Sequence, residues 1–133
     1  MSILETYKVK VLTGDVEQAG TGANVFLQMF GNDGKSKRLR LKGNFSRDSL
    51  VKLTITMQTL GSLKKIKIWH DNSGSSPNWF LKSVEIVAMT SKESWKFPCE
   101  RWLAKDGTRD ETSLTLSLGR IHKYTDDLTI GKI

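Results

Sequence analysis

An antiparallel β-sandwich of two four-stranded sheets is the fold class this sequence predicts, and three observations predict it. Apolar residues recur at every second position along most of the chain, the pattern of strands with one buried face. Clusters of turn-forming residues separate these runs at short intervals. No stretch carries a 3.6-residue apolar period over three turns, and evenly spaced short strands without helices belong to sandwiches or barrels.

In chain order, Tyr7, Val9 and Val11 alternate with Lys8 and Lys10. Turns at Gly14-Asp15 and Gly20-Thr21-Gly22 follow, and then Val25, Leu27 and Met29 share a face. GNDG at 31–34 is a hairpin turn. It leads into KSKRLRLK at 35–42, read as a strand with Leu39 and Leu41 inward and Arg38, Arg40 and Lys42 outward. Val51, Leu53, Ile55 and Met57 alternate with Lys52, Thr54 and Thr56, and Ile66 and Ile68 alternate with Lys65, Lys67 and Trp69. After a polar loop at 71–78, Trp79 precedes a strand containing Val84 and Ile86. Trp95 and Phe97 flank Lys96, with a short helical turn expected over Glu100–Ala104. Past Asp106-Gly107, Leu114, Leu116 and Leu118 alternate with Thr115 and Ser117. The expected core includes Val9, Leu27, Leu53, Ile68, Ile86, Phe97 and Leu116. The sandwich is expected over residues 5–118, between a short extension at 1–4 and a polar tail at 119–133.

With 133 residues, 38% hydrophobic and 26% charged, the chain suits one soluble domain. No apolar run approaches the ~20 residues that span a bilayer, and MSILETYKVKV lacks the pattern of a secretory signal. The single cysteine, Cys99, excludes an internal disulfide and fits a reducing compartment. The expected setting is cytoplasmic and peripheral to a membrane, as a domain of a larger protein.

The net charge of +7 favours anionic partners: acidic headgroups, nucleic acid or acidic proteins. The basic residues concentrate in Lys35, Lys37, Arg38, Arg40 and Lys42, with no acid among them, and in Lys64, Lys65 and Lys67. One reading is a solvated face that discourages edge aggregation. The other is a headgroup-binding surface, where each Lys or Arg contributes about 1 kcal/mol. Nucleic acid is disfavoured because these runs hold only Leu and Ile between their charges, with no aromatic ring for base stacking. Catalysis is not expected. His70 and His122 are the only histidines, adjacent His70 and Asp71 point to opposite sides of a strand, and no phosphate loop or CxxC pair is present.

Three stretches, YKVKVLTGDVEQAGTGANVFLQMFG, GSLKKIKIWHDNSGSSPNWFLKSVEI and WKFPCERWL, resemble in order and spacing the PLAT, or lipoxygenase-homology, domain over residues 5–118. WHDNSGSSPNWFL is most similar to polycystin-type and multi-repeat hair-cell members. The resemblance implies a sandwich of two four-stranded sheets that docks a protein on a membrane or a partner and is not itself catalytic. It places Trp79 and Cys99 in core motifs, and the loop at 71–78 at one end of the sandwich. The favoured partner is an anionic phospholipid surface, reached by the basic residues with Trp69 and Trp102 as membrane-contact aromatics. A protein-docking module with little lipid contact is the alternative, and a weak calcium-dependent lipid binder the second alternative.

The family's calcium pattern is only partly kept. Gly22, Asn44, Ser46 and Asn78 stand where the resemblance puts acids, and Glu17 stands at a loop position where lipoxygenases carry tryptophan. The remaining candidates are Thr21, Gly22, Asn44, Asp48, Asp71 and Asn78. Calcium takes six to eight oxygens, several of them carboxylate, so no cofactor beyond weakly held calcium is expected.

Overall fold

In chain order the strands are β1 (Leu4–Thr13), β2 (Val25–Gly31), β3 (Gly34–Lys35), β4 (Leu39–Leu41), β5 (Leu50–Gln58), β6 (Leu63–His70), β7 (Trp79–Ala88), β8 (Ser94–Asp106), β9 (Arg109–Glu111) and β10 (Ser113–Ser117). This computed structural model describes residues 3–118, so the tail expected over 119–133 lies outside them. The strands form two antiparallel sheets of five, β5-β1-β7-β8-β9 and β10-β6-β2-β3 with β4 also paired to β2.

The expected four strands per sheet become five because each GNDG- or DG-type turn carries a stub. β3 returns from the turn at 31–34, and β9 from the turn at Asp106-Gly107. KSKRLRLK is not one strand. Ser36 is buried, donates its backbone N–H to the Met29 carbonyl and accepts the Met29 N–H on its hydroxyl. That kink separates Lys35 on β3 from Arg40 on β4 and leaves Lys37 and Arg38 between them.

The inward faces pack into one core from Tyr7, Val9, Leu27, Ile68, Ile86, Phe97, Leu116 and their neighbours. Leu53, expected in that core, is only half-buried, because β5 is an edge strand and its inward side chains are covered from one side. Trp79 is fully buried, stands edge-on to Phe45 at 5.5 Å and donates its indole N–H to Thr13 Oγ1 at 2.9 Å. Glu5, which sequence patterning leaves unassigned, is buried and accepts backbone N–H bonds from Thr6, Thr90 and Ser91. Burial pushes its carboxyl up, but those bonds outweigh it and hold the group below its ordinary value.

Register shifts keep apolar residues inside where strict alternation fails. Between Phe30 and Gly31 of β2, the facing strand β6 carries one extra residue, Lys64. This bulge turns Leu63 into the core and leaves both Lys64 and Lys65 exposed. A second bulge, where β8 carries an extra residue against β7 and Glu100 takes φ 55°, replaces the helical turn expected over Glu100–Ala104. β8 runs unbroken through it to Asp106.

The two sheets are joined along one side. Only Thr112 separates β9 in one sheet from β10 in the other, and its carbonyl accepts the His70 N–H at 3.1 Å. His70 Nε2 faces the Leu103 carbonyl at 2.8 Å while Nδ1 accepts the Asn72 N–H, so the proton sits on Nε2. Along the opposite side, β5 and the β3–β4 region face each other across a cleft.

Gly31 is a point of close backbone approach, where a Cβ would overlap the Leu60 carbonyl. Gly31→Ala is therefore expected to destabilise the fold by about 3 kcal/mol, the upper end of overpacking effects, as a lowered urea midpoint. A midpoint equal to that of the native protein would contradict the packing at this turn.

Candidate functional site

Lys35 and Arg40 of the first basic run and Lys64, Lys65 and Lys67 of the second end up on one surface, while Lys37 lines the cleft beside β5. β4 and β6 flank β2, so the outer face of the second sheet carries Arg40 beside Phe26, which in turn lies beside Trp69. Further along the same face, Gln28 sits beside Lys67 and Phe30 beside Lys65, with Lys35 on the other side of Phe30. Phe26 and Trp69 stack at 5.6 Å with a 14° angle between their rings. Lys65 Nζ lies 5.3 Å from the Phe30 ring centre, and Lys67 Nζ lies 5.3 Å from that of Trp69. Cation–π contact of this kind holds lysines over apolar surface.

Aromatic rings therefore do interleave with the cations, contrary to the argument made from the runs themselves. The signal was present in VFLQMFG at 25–31, where inward Val25, Leu27 and Met29 leave Phe26, Gln28 and Phe30 outward. Trp102 is not part of this face. It stands on β8, 40% exposed and edge-on to Phe80 at 5.4 Å, on the outer surface of the other sheet. Trp69 and Trp102 do not form one contact surface.

The calcium candidates gather only in part: Thr21, Gly22 and Asn44 line one cleft, and Asp48 and Asn78 lie outside it. Thr21 donates its hydroxyl proton to the Pro77 carbonyl at 2.6 Å and accepts the Ala23 N–H at 3.1 Å. Asp48 lies in a turn at φ 58° with its N–H on the Gly14 carbonyl. Asn78 lines a cleft with Glu17, Trp102 and Asp106, whereas Thr21, Gly22 and Asn44 line another with Arg40 and Lys42.

Asp71 is saturated. Its Oδ1 accepts from the Ser73 hydroxyl at 2.6 Å and from the Ser73 and Asn24 N–H groups at 3.1 Å, and its Oδ2 accepts from the Asn24 amide at 2.8 Å. The Asn24 amide oxygen in turn accepts from the Arg40 guanidinium at 2.6 Å. Among the described residues no three His, Cys, Asp or Glu side chains come together. Of the two carboxylates among the candidates, Asp71 is already bonded four times and Asp48 lies outside the cleft, which Arg40 and Lys42 line, so the residues gathered there offer little of the carboxylate-rich donor set that calcium takes.

The Ser73 hydroxyl and the Asn24 amide hold the Asp71 carboxyl well below the usual carboxylate range, against a weak contrary push from burial. A depressed folded-state value contributes stability that is present above the unfolded value, near 4, and is lost as pH falls through the folded one. Asp71→Asn places an amide donor against the Asn24 amide donor, and turning Asn24 over would set that donor against Arg40. The variant is expected to melt below the native protein above about pH 5, the gap closing as pH falls below the unfolded value near 4. Thermal melts across that range check this, and a gap independent of pH would contradict it.

Cys99 is half-buried, packs against the core, and has its thiol pushed up by burial. It has the character of packing rather than of a nucleophile.

The PLAT/LH2 domain family matches residues 7–117. The chain is 40% identical over 85% of its length to mouse lipoxygenase homology domain-containing protein 1, and 37% identical over 90% to the mouse polycystin family receptor for egg jelly. It spans 6% of the length of each of these relatives. Among solved structures, coral 8R-lipoxygenase, an enzyme with calcium activation via a C2-like domain, is 30% identical with a TM-score of 0.74. That likeness covers 86% of this chain and 17% of the enzyme. Clostridium absonum alpha toxin, at 18% identity and a TM-score of 0.64, shares the fold; the match covers 89% of this chain and 32% of the toxin's. The stacked motifs, the two-sheet sandwich and these matches agree: the chain belongs to the PLAT/LH2 domain family.

Proposed function

We propose that this domain is a non-catalytic targeting module that docks a larger parent protein on anionic membrane surfaces from the cytoplasmic side, through the outer face of its second sheet. The observation that carries the reading is the gathering of Lys35, Arg40, Lys64, Lys65 and Lys67 around Phe26, Phe30 and Trp69 on that face. Basic residues near an acidic bilayer contribute about 1 kcal/mol each, and an indole ring such as that of Trp69 settles at the headgroup level. Exposed charges are screened over ~8 Å at physiological salt, so such binding falls steeply as salt rises.

The reading also takes the domain to work without tightly held calcium. Arg40, tied through Asn24 to Asp71, already places a positive charge at this end of the sandwich. Flotation with phosphatidylcholine vesicles, with or without phosphatidylserine, at two salt concentrations and with calcium or chelator, tests it. Flotation is expected only with phosphatidylserine, weaker at high salt and indifferent to chelator. No flotation would favour the protein-docking alternative, and an absolute calcium requirement would favour the calcium-dependent one. Tighter binding to a single-stranded oligonucleotide than to vesicles would move the reading to nucleic acid.

A further inference from the structure

Strand β5 ends the first sheet, and no described residue pairs with its outer edge. Its backbone polarity follows from the bonds at either end of its ladder with β1. Thr59 donates to the Ile3 carbonyl at 2.7 Å, and Thr13 donates to the Ser49 carbonyl at 3.0 Å. Antiparallel pairs alternate between bonded and non-bonded. Val51, Leu53, Ile55 and Met57 therefore direct their backbone groups to β1, while Leu50, Lys52, Thr54, Thr56 and Gln58 direct theirs outward. The 2.9 Å contact between the Thr6 and Thr56 hydroxyls agrees, since side chains approach closest in non-bonded pairs. The outward residues all have exposed side chains and are free of turn-type backbone bonds. A row of unpaired N–H and C=O groups is a template for another strand.

The surroundings of that edge specify the strand. On its inner side, half-buried Ile55 and Met57 face Leu39 across a cleft of about 500 Å³ whose lip carries Lys35 and Lys37. On its outer side Lys52 lies opposite Lys10, with Lys8 opposite Thr54. β5 itself carries no carboxylate, and Asp33, which also lines the cleft, lies against Gly61. A second copy would bring its own lysines and a net charge of +7 to the same place. A lipid acyl chain would fill the cleft and leave the N–H groups unbonded.

We propose that the open edge of β5 takes an added antiparallel strand from a partner protein, an extended segment in which acidic residues alternate with apolar ones. The apolar side chains enter the cleft beside Ile55 and Met57, and the acidic ones lie on the outer side among Lys8, Lys10 and Lys52. Residues directly opposite share a face, so the partner's acidic residues are the ones whose N–H groups bond Lys52, Thr54 and Thr56. This surface meets the headgroup-facing sheet only at Lys35, which borders both.

The probe is a labelled, end-capped peptide of alternating Glu and Val matching β5 in length, titrated onto the whole chain by fluorescence anisotropy. Saturable binding is expected, and no binding overturns the proposal. Thr54→Pro removes an outward N–H without touching the β1 ladder and is expected to weaken binding about tenfold, as losing one or two net hydrogen bonds would. Thr54→Ala is expected to bind as the native protein does. Should Thr54→Pro not fold, the peptide carries the test. N-methylation on its Glu residues is expected to abolish binding and N-methylation on its Val residues to spare it. Equal tolerance of both, or equal binding of a Lys-for-Glu peptide, overturns the proposal, as does self-association of the native chain that Thr54→Pro abolishes. Vesicle flotation of Thr54→Pro is expected to match the native protein, so failure here and failure of the membrane reading are separate results.

Discussion

Replacing Trp79 with alanine is expected to remove about 4 kcal/mol of folding stability, within the range for large buried aromatics. Trp79 opens β7 with no exposed surface, fills the space beside Phe45 and bonds Thr13 across the sheet. Truncation leaves a cavity bounded by close-packed strands and a buried hydroxyl on Thr13 without its donor. Total stabilities of about 5–15 kcal/mol make such a loss large. Trp79→Phe separates the two contributions, because it keeps most of the ring volume and forfeits the indole bond, at about 1–2 kcal/mol. Urea denaturation of both variants checks this, and a loss below about 1 kcal/mol for the alanine variant would contradict the buried placement.

The triple variant Lys64→Glu, Lys65→Glu, Lys67→Glu is expected to lose flotation with phosphatidylserine vesicles. Three lost attractions of about 1 kcal/mol each weaken binding more than about 100-fold, and the new carboxylates add repulsion. Arg40 is left in place because it bonds Asn24 and so supports the Asp71 turn; its removal would mix a stability effect into the result. Lys65 and Lys67 each lose contact with a ring, about 0.5–1 kcal/mol at an exposed site, so the melting temperature drops modestly. A Lys8→Glu, Lys10→Glu control lies on the other sheet and is expected to float as the native protein does. Retained flotation by the triple variant would remove this face from the membrane reading.

Much of the fold was legible because alternation is a local signal. Tyr7 to Val11, Val25 to Met29 and Ile66 to Ile68 point where their spacing says. The family motifs likewise placed Trp79 inside. The stubs β3 and β9 are too short to show a period. Neither bulge is visible in spacing, since an extra residue such as Lys64 reads as a broken alternation until its partner strand is known. The half-exposure of Leu53 depends on which strand lies at the edge, a property of topology rather than of the run.

The site was less legible for the same reason. That Arg40 and Lys65 share a face follows only from β2 lying between their strands. The link from Asp71 through Asn24 to Arg40 joins three loops and strand ends that no sequence spacing connects.

The sandwich is stitched along one long side, by the single-residue step at Thr112 and by His70 on Leu103, whereas along the other the chain crosses only at the two ends, at 42–49 and 59–62, with a cleft between them. Mechanically it is a book with a spine. The stitched side resists separation through covalent chain and buried hydrogen bonds, whereas between its two end crossings the fore-edge holds its leaves together through half-buried side chains such as Ile55, Met57 and Leu39. Opening fluctuations of lowest free-energy cost therefore run through the fore-edge, as local opening generally follows the sparsest packing. Whatever occupies that side acts as a clasp, tightening the whole domain while touching a single strand.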